Sequence, residues 1–498
     1  MRLIEKYGLR GIDKAEIDKL IAREKFVGLN RSPRAEEIIV SLTSYKPRIN
    51  DVKYTLYSLL NQTFPPDKLI LWLDEDSFPQ REKNLPRDLL KLKSFGLTIA
   101  WCENIRSYKK LIPALEKYPD ALIVTADDDI FYRPDWLKIL YDAHAENPDC
   151  LVAHYAHKVR MTEHGNILPF KQWHLNISTA TSLPPLFAYS FGSGGGVIIK
   201  KSFFHSDIMR REIFTELAPT ADDLWFWAMA VLNGTKIKIP ANSISFGSFV
   251  YVDIDAQENG ENLRQKNYVE DQNDVQLQKI IERYPVLAEK IIREDAESKP
   301  FISVVIPIKD SGYIPVQLEN IFWQSFPDFE LIIVNAGARI EMPNIPTNFR
   351  VINYPGGSFM NAFNLGLQKA TGDYVLFKDA HTSLPREALE IVAQAAAQRN
   401  ADVIHFAGRI RRAEKKIILE DAPELQVKNP QLLIESRQVR ADLWFRDKIG
   451  KQLDTKIFRR DFLLERKIKF DDTIREFVFR ALVSAEKYLL VPQVIIGA

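Results

Sequence analysis

The residues of this sequence best suited to chemistry are three consecutive aspartates, Asp127, Asp128 and Asp129. They follow the apolar run Ala121–Thr125, which predicts a buried strand. Parallel α/β sheets bind ligands beyond the carboxyl ends of their strands, where this turn would lie. Alternate carboxylates, here Asp127 and Asp129, suit a hard divalent cation that bridges phosphate oxygens and stabilises a diphosphate leaving group. A solvated acidic turn after a strand is the alternative interpretation.

A glycine-rich run, Gly192–Gly196, stands before another apolar segment, Val197–Ile199. Because it lacks side chains, this loop would let the backbone approach a bound sugar closely. Its spacing differs from a dinucleotide-binding fingerprint, and no helix is expected after it. A flexible linker is the alternative. His154, His157 and His174 could add a metal ligand or an acceptor contact, although a core or surface position is the more common role of a histidine.

Alternating strands and helices would position these residues. The predicted strands of the first half are Ile38–Leu42, Lys68–Leu73, Leu97–Trp101 and Ala121–Thr125, and the predicted helices are Val52–Leu60 and Ser107–Leu115. Apolar runs without helical period indicate strands buried on both faces. The first half is therefore expected to be an α/β domain with a mostly parallel sheet.

The same order of elements restarts at Phe301. Its predicted strands are Ile302–Ile306, Glu330–Val334, Val351–Tyr354 and Tyr374–Phe377, and its predicted helices are Pro315–Trp323 and Asn361–Ala370. Local sequence repeats as well, since Asn61–Pro65 parallels Trp323–Pro327. The duplication predicts two modules. The expected organisation is an N-terminal helical segment over 1–35, a catalytic domain over 36–270, a helical linker over 271–299 and a second domain over 300–498.

The composition describes an ordinary globular chain. It has 498 residues, 46% of them hydrophobic and 27% charged, which is too long for one core. A net charge of +1 argues against a nucleic-acid partner, which would call for an excess of Lys and Arg. The two cysteines and the lack of a signal-peptide pattern at Met1–Lys6 favour a cytoplasmic protein.

Three short segments resemble the GT-A-fold glycosyltransferases. Val124–Tyr132 is similar to the metal-binding DxD region of that family, and Val40–Tyr45 and Leu71–Asp74 are similar to its nucleotide-binding strands. The resemblance implies Rossmann-like modules and a nucleotide-sugar donor, with a UDP-sugar favoured. It also implies that Asp127 and Asp129 hold Mn²⁺ or Mg²⁺. The residues expected to contact the donor are Thr43, Asp74, Lys109, Asp127 and Asp128.

The resemblance also implies the roles of two further pairs. Asp222 and Asp223 match in type and position the acidic pair from which the family takes its general base, with Asp223 favoured; a helix N-cap is the alternative. Lys109 and Lys110 could meet phosphate oxygens at the start of a helix, although surface lysines are the alternative. Two tryptophans after the acidic pair, Trp225 and Trp227, would form a sugar platform or part of the core.

The second half is similar to family 2 glycosyltransferases through Ser303–Pro307, Asn364–Gly366 and Ala370–Tyr374. It departs from that pattern where chemistry would be expected. Asn335–Gly337 replaces an acidic turn, Phe363 replaces an arginine, Asp379-Ala380-His381 replaces D-x-D, and Glu476-Phe477 replaces an acidic base pair. The second module is therefore expected to be degenerate. A weak metal site at Asp379 and His381 is the alternative, because imidazole can bind Mn²⁺.

The sequence thus predicts a hexosyltransferase-type enzyme. The resemblance implies an inverting reaction on a glycan or lipid-linked glycan acceptor in bacterial capsule or lipopolysaccharide synthesis. Peripheral association with membrane assembly machinery is a further expectation. A bifunctional polymerase with two active modules and a non-catalytic glycan-binding or scaffold protein are the alternatives.

Overall fold

The computed structural model describes residues 10–162, 164–177, 183–244, 246–254, 265–342, 345–406, 409–413, 416–420, 432–491 and 496–497. The chain divides into two compact units. The first contains the chain up to Val159 and the segment Ile167–Ala296, and the second contains Arg160–Asn166 and the chain from Glu297 onward. None of the helices in these described ranges is long and apolar enough to span a membrane.

The first unit is built on a seven-stranded, mostly parallel sheet. Its strands in spatial order are Ile237–Lys238, Leu151–Ala153, Val197–Ile199, Leu122–Ala126, Ile38–Thr43, Lys68–Asp74 and Leu97–Cys102. Only Val197–Ile199 runs antiparallel to its neighbours in this sheet. The central strands are apolar and buried on both faces, as expected for a sheet covered by helices.

The strand register of the first unit brings three carboxyl ends to one edge of the sheet. Leu42 pairs with Ala126, and Thr43 pairs with Trp72, two residues before Asp74. The loops that follow these strands therefore start side by side.

Helices and short sheets complete the first unit. Its α-helices are Lys14–Ala22, Val52–Leu59, Arg87–Lys91, Ile112–Lys117, Trp136–Glu146, Arg211–Leu217, Asp222–Asn233, Gln272–Arg283 and Val286–Glu297. Arg10–Gly11, Val250–Tyr251 and Ile130–Phe131 form one three-stranded sheet, and Tyr189–Phe191, Ala156–Lys158 and His174–Ile177 form another.

Two expectations about helices need correction. The helix predicted over Ser107–Leu115 is a 3₁₀ turn, Arg106–Lys110, followed by a helix that begins at Ile112. Pro113 favours this start, because proline is tolerated in the first helical turn and not in the interior. The helices of the expected linker, 271–299, are part of the first unit, where Gln276 Oε1 accepts hydrogen bonds from Thr220 N and Ala221 N.

The second unit repeats the strand order of the first. Its eight-stranded sheet runs Leu432–Ile434, Tyr488–Val491, Val403–Phe406, Lys456–Arg459, Tyr374–Phe377, Ile302–Ile308, Phe329–Asn335 and Phe349–Asn353. Lys456–Arg459 is antiparallel to both neighbours, as Val197–Ile199 is in the first unit. Apart from the edge strand Leu432–Ile434, the two sheets correspond strand for strand. The predicted class, two α/β modules with mostly parallel sheets, is confirmed.

The second unit has its own helices and a small sheet. The helices are Tyr313–Phe322, Phe359–Lys369, Ala388–Arg399, Arg437–Phe445, Arg460–Glu465 and Ile474–Ser484. Lys416–Glu420, Arg409–Ala413 and Ile496–Gly497 form the small sheet.

Candidate active site

The acidic turn lies where the sequence predicts, directly beyond the strand Leu122–Ala126. The backbone N–H of Asp127 donates to Tyr132 Oη at 2.8 Å, and Val252 N donates to Asp129 O at 2.9 Å. These bonds tie both ends of the turn to the surrounding fold. The three carboxylates consequently have defined and different surroundings.

The Asp128 carboxylate is bonded within the protein. One oxygen accepts from Ser44 Oγ at 2.5 Å and the other from Arg48 Nη1 at 2.9 Å. The side chain is buried, and its backbone carbonyl accepts from Thr55 Oγ1. The Asp128 carboxylate thus anchors the turn, and its expected contact with the donor stays a prediction.

Asp129 shares the same guanidinium. Arg48 Nη1 lies 2.7 Å from Asp129 Oδ2, so one nitrogen contacts both carboxylates. Burial by itself would lower the pKa of Arg48, but the charges of Asp129 and Asp128 raise it above its usual range. Sequence reasoning missed Arg48. It lies in the 3₁₀ turn Lys46–Arg48, about 80 residues before its partners, with no local signal to mark it.

Asp127 points away from Arg48 toward a buried lysine. Lys110 Nζ donates to Asp127 Oδ1 at 2.6 Å and to Ser193 Oγ at 3.1 Å, and lies 3.5 Å from Asp222 Oδ2. Burial by itself would lower the pKa of Lys110, but the three carboxylates around it, those of Asp127, Asp222 and Asp223, hold that pKa well above its usual value. Lys110 therefore joins the acidic turn to the acidic pair.

The acidic pair opens the helix Asp222–Asn233. Asp223 Oδ1 accepts hydrogen bonds from the backbone N–H and the hydroxyl of Ser193. The pKa of Asp223 is raised to about 7, mainly by burial and secondly by the charge of Asp222. Asp222 Oδ2 is buried and has no hydrogen-bond partner among the described residues. Neither carboxylate caps the start of the helix with a side-chain hydrogen bond. The N-cap alternative is therefore wrong.

Trp225 and Trp227, on the same helix, belong to the core. Both are fully buried, and their indole N–H groups donate to the carbonyls of Ile208 and Phe187. A sugar platform at these residues is therefore wrong, and the core alternative is correct.

Three residues expected to bind the donor, Thr43, Asp74 and Lys109, make hydrogen bonds within the protein. Lys109 Nζ donates to Asp74 Oδ2, and both side chains are buried. Burial by itself would raise the pKa of Asp74, but the hydrogen bond from Lys109 and those from Ser77 lower it. Thr43 Oγ1 donates to the Trp72 carbonyl at 2.8 Å. The surface-lysine alternative is thus wrong, and it is Lys110, not Lys109, that reaches the acidic turn.

The glycine-rich loop closely approaches protein groups, while its predicted approach to a bound sugar stays a prediction. A Cβ added to Gly194 would lie 1.8 Å from Asp127 Oδ2, and one added to Gly196 would lie 2.4 Å from Trp136 Nε1. Tyr132 Oη donates to the Gly194 carbonyl and Trp136 Nε1 to the Gly195 carbonyl, at 2.5 and 2.8 Å. The loop is held against the acidic turn.

The histidines are used elsewhere. His154 Nε2 lies 2.9 Å from the Trp136 carbonyl, and His154 Nδ1 accepts from Ile244 N. His157 Nδ1 accepts from Asn176 N. Burial lowers the pKa of both imidazoles to about 4. His174 is buried in the sheet Tyr189–Phe191, Ala156–Lys158, His174–Ile177. None of the three shares a described hydrogen bond or ion pair with Asp127 or Asp129.

In the second unit, Asp379 and His381 occupy the turn that corresponds to the acidic turn. Both are exposed, and Asp379 Oδ1 accepts from His381 N at 2.8 Å, while the imidazole lies edge-on to the Tyr313 ring at 4.6 Å. Asn335 Nδ2 donates to Asn353 Oδ1 and to the Ala338 carbonyl, which fastens the loop that replaces the acidic nucleotide turn.

Other side chains of the second unit that differ from the family pattern pack against each other. Phe470 stacks on Phe477 with centroids 3.8 Å apart and on Phe363 at 4.6 Å, and Phe377 contacts all three. Two of these rings, Phe363 and Phe477, stand where the family pattern has an arginine and an acid. A continuous aromatic cluster therefore replaces charged groups.

A divalent cation fits the first unit by charge and ligand type. Within the described residues, the carboxylates of Asp127, Asp128, Asp129, Asp222 and Asp223 outnumber the two cations, Arg48 and Lys110, that contact them. Among the described residues, no three His, Cys, Asp or Glu side chains are arranged to hold a metal. Magnesium-type ions are often held by one or two carboxylates together with substrate phosphates and water, so the pair Asp127 and Asp129 would suffice.

Comparisons with known proteins identify one part of the chain. Residues 303–463 match the model of "Glycosyl transferase family 2". Glycosyltransferase GlyG of Streptococcus pneumoniae serotype 4 is 29% identical over 112 residues, which are 21% of this chain and 37% of that protein.

Solved structures show weaker likeness. S. aureus TarS 1–349 in complex with UDP-GlcNAc is 19% identical with a TM-score of 0.31, over 40% of this chain and 58% of that chain. Mannosyltransferase PcManGT from Pyrobaculum calidifontis, in complex with GDP-Man and Mn²⁺, is 16% identical with a TM-score of 0.28, over 41% and 57%. The chain thus spans less than two thirds of the length of each of these relatives.

The matched region, residues 303–463, lies in the second unit. The first unit repeats the strand order of that unit and carries the clustered acidic side chains. Residues 303–463 of the second unit are therefore similar to the family 2 glycosyltransferases.

Proposed function

We propose that the first unit transfers a sugar from a nucleotide-sugar donor to a hydroxyl group of a glycan acceptor, with inversion at the anomeric carbon. The observation that carries the proposal is the network that joins Asp127, Lys110 and the pair Asp222 and Asp223 beyond the carboxyl edge of the sheet. It supports the proposal because a carboxylate of a type that can bind a cation lies near a carboxylate of a type that can accept a proton.

Asp223 is the proposed general base. A pKa of about 7 matches what a base needs near neutral pH. As the acceptor oxygen bonds to the anomeric carbon, the bond from that carbon to the diphosphate breaks, the hydroxyl proton passes to Asp223, and the nucleoside diphosphate leaves. Ser193 orients the carboxylate through its backbone and hydroxyl hydrogen bonds.

Asp127 and Asp129 would hold a divalent cation, Mn²⁺ or Mg²⁺, which when bound neutralises charge on the diphosphate. Asp128 and Ser44 keep the turn in place. Lys110 balances the charge of Asp127 and of the acidic pair, so that these carboxylates can lie together in a buried site.

The substrate classes rest on resemblance. We propose a UDP-sugar donor and a glycan or lipid-linked acceptor of a bacterial capsule or lipopolysaccharide. Peripheral association with the membrane assembly machinery follows from that acceptor class.

For the second unit we propose a non-catalytic role. The aromatic cluster at Phe363 and Phe477 and the amide pair Asn335–Asn353 support it, because they replace charged groups by packed or mutually bonded ones. A bifunctional polymerase is the second candidate, favoured by the exposure of Asp379 and His381.

The test is a panel of nucleotide sugars that includes UDP-GlcNAc and GDP-mannose, each with Mn²⁺, with Mg²⁺ or with EDTA, scored for donor hydrolysis and transfer. Wild type should turn over at least one donor, and Asp223→Asn should lose transfer. Asp142→Asn, in an exposed helix pair with Lys138, is the matched control and should be unchanged.

Three outcomes would count against the proposal. Absence of turnover and of nucleotide binding by wild type would remove the enzymatic function. A retained anomer in the product, observed by NMR, would remove Asp223 as the base. Loss of a second activity in Asp379→Ala would replace the non-catalytic second unit by the polymerase.

A further inference from the structure

Arg48 binds the acidic turn through only part of its guanidinium. Nη1 contacts Asp128 Oδ1 at 2.9 Å and Asp129 Oδ2 at 2.7 Å. Nη2 and Nε make no hydrogen bond to any residue in the described ranges, and the side chain is 24% exposed. The guanidinium also lies over the Tyr45 ring at 5.6 Å, so the planar fork that suits arginine to phosphate keeps Nη2 and Nε without a hydrogen-bond acceptor in that part of the chain.

The two carboxylates held by Arg48 are not equivalent. Asp128 is the more enclosed, with 8% of its side chain exposed against 16% for Asp129. Asp128 also has a second anchor in Ser44, at 2.5 Å. Of these two carboxylates, Asp129 is therefore the more accessible to a cation arriving from solvent, and Arg48 can keep Asp128 while giving up Asp129.

We propose that Arg48 is an exchangeable counter-ion of the acidic turn: it neutralises Asp129 in the ligand-free protein, yields that carboxylate to a divalent cation, and then binds the donor diphosphate. This rests on the proposed function, because it takes Asp129 as a ligand of the cation. In the exchange, Asp129 keeps a cationic partner, first Arg48 and then the divalent ion, and the guanidinium fork becomes available to the diphosphate.

The exchange predicts opposite effects on two affinities. Without nucleotide, Arg48→Gln removes a competing charge from Asp129, so Mn²⁺ should bind about tenfold more tightly than to wild type. With saturating Mn²⁺, the same variant lacks the fork, so UDP should bind about tenfold more weakly. Calorimetry or Mn²⁺ EPR on the full chain measures both without turnover.

Two further variants keep the test decisive. Arg48→Lys retains a charge that competes with Mn²⁺ but lacks the planar fork, so Mn²⁺ affinity should stay near wild type while UDP affinity falls. This variant also keeps the proposal testable if Arg48→Gln does not fold. Arg446→Gln, in an exposed ion pair with Asp442 in the second unit, is the control and should change neither affinity.

Unchanged or weaker Mn²⁺ binding by Arg48→Gln would overturn the exchange, and unchanged UDP binding would overturn the phosphate contact. Both results can occur in an enzyme that still transfers sugar. Conversely, the protein could show the predicted Mn²⁺ and UDP affinities and yet turn over no donor. That result would contradict the proposed function but not the exchange.

Discussion

At the scale of single residues, the candidate site depends on how buried charges share partners. Lys110 faces Asp127 and Asp222, while Asp223 is bonded by Ser193. Two neighbouring carboxylates in a buried site resist simultaneous ionisation, so the proton affinity of one of them rises. Burial, together with the charge of Asp222, therefore raises the pKa of Asp223.

The raised pKa of Asp223 predicts a pH dependence. A general base must be deprotonated, so kcat/KM should fall by about tenfold per pH unit below about pH 7 and level off above it. Asp222→Asn removes the like charge and should lower the pKa of Asp223, which moves the acidic limb of the profile to lower pH. Initial rates from pH 5 to 9 check both statements, and an unmoved limb in Asp222→Asn would contradict the coupling.

At the scale of elements, the site depends on a loop without side chains. Gly194 lies against Asp127, and Gly196 has a φ of +108° and lies against Trp136. The residues that follow form a strand between Leu122–Ala126 and Leu151–Ala153, which fixes where the loop ends. The loop thereby links an antiparallel strand to the acidic turn.

Gly194→Ala should impair the site more than the fold. The added Cβ would lie 1.8 Å from Asp127 Oδ2, a side-chain atom that can move, so the thermal midpoint should shift little. Because Asp127 must then turn away, Mn²⁺ affinity should fall by about tenfold. Gly11→Ala, whose Cβ would meet Ile254 at an ordinary 3.6 Å, is the control. Wild-type Mn²⁺ affinity in Gly194→Ala would argue against Asp127 as a ligand.

The aromatic cluster of the second unit should contribute stability. Phe470 is buried and stacks on Phe363 and Phe477, so Phe470→Ala should lower the free energy of unfolding by about 3–5 kcal/mol. Urea unfolding followed by near-UV circular dichroism measures this. Phe445→Ala, at a side chain 73% exposed, should change it by less than about 0.5 kcal/mol. A small effect at Phe470 would mean that the cluster is loosely packed.

At the scale of the whole molecule, the two units share a strand order and differ in the chemistry beyond the strands. The second unit also takes in Arg160–Asn166, a short segment that interrupts the chain of the first. Arg160 packs its guanidinium on the Phe322 ring at 4.0 Å, and Thr347 N donates to the Met161 carbonyl at 2.8 Å. The second unit is therefore discontinuous in sequence.

This discontinuity predicts the behaviour of a fragment. Residues 297–498 expressed by themselves lack Arg160, and the loss of a desolvated cation–π contact should lower their thermal midpoint by roughly 5 °C relative to the same unit in the full chain. Differential scanning calorimetry of the fragment, the full chain and full-length Arg160→Ala makes the comparison. Equal midpoints would show that the segment does not stabilise the unit.

Much of the fold could be predicted because its signals are local. The strand Tyr374–Phe377 has the predicted bounds, and Ile38–Thr43 and Lys68–Asp74 extend their predictions by one residue. Buried parallel strands are short apolar runs, which makes them visible without partners. The helix predicted over Ser107–Leu115 failed at its start, because Pro113 imposes a boundary that apolar periodicity does not show.

The sequence by itself determined the class of the fold, its duplication, and which carboxylates stand at strand ends, because these follow from hydrophobic pattern and position along the chain. The tertiary structure decided how those carboxylates are paired. Arg48, Lys110 and Ser193 come from separate loops and meet the aspartates only after the sheet has assembled. A charge acquires its partner and its pKa from neighbours in space. The partners Lys110 and Asp127 are 17 residues apart along the chain, and the partners Arg48 and Asp128 are 80 residues apart.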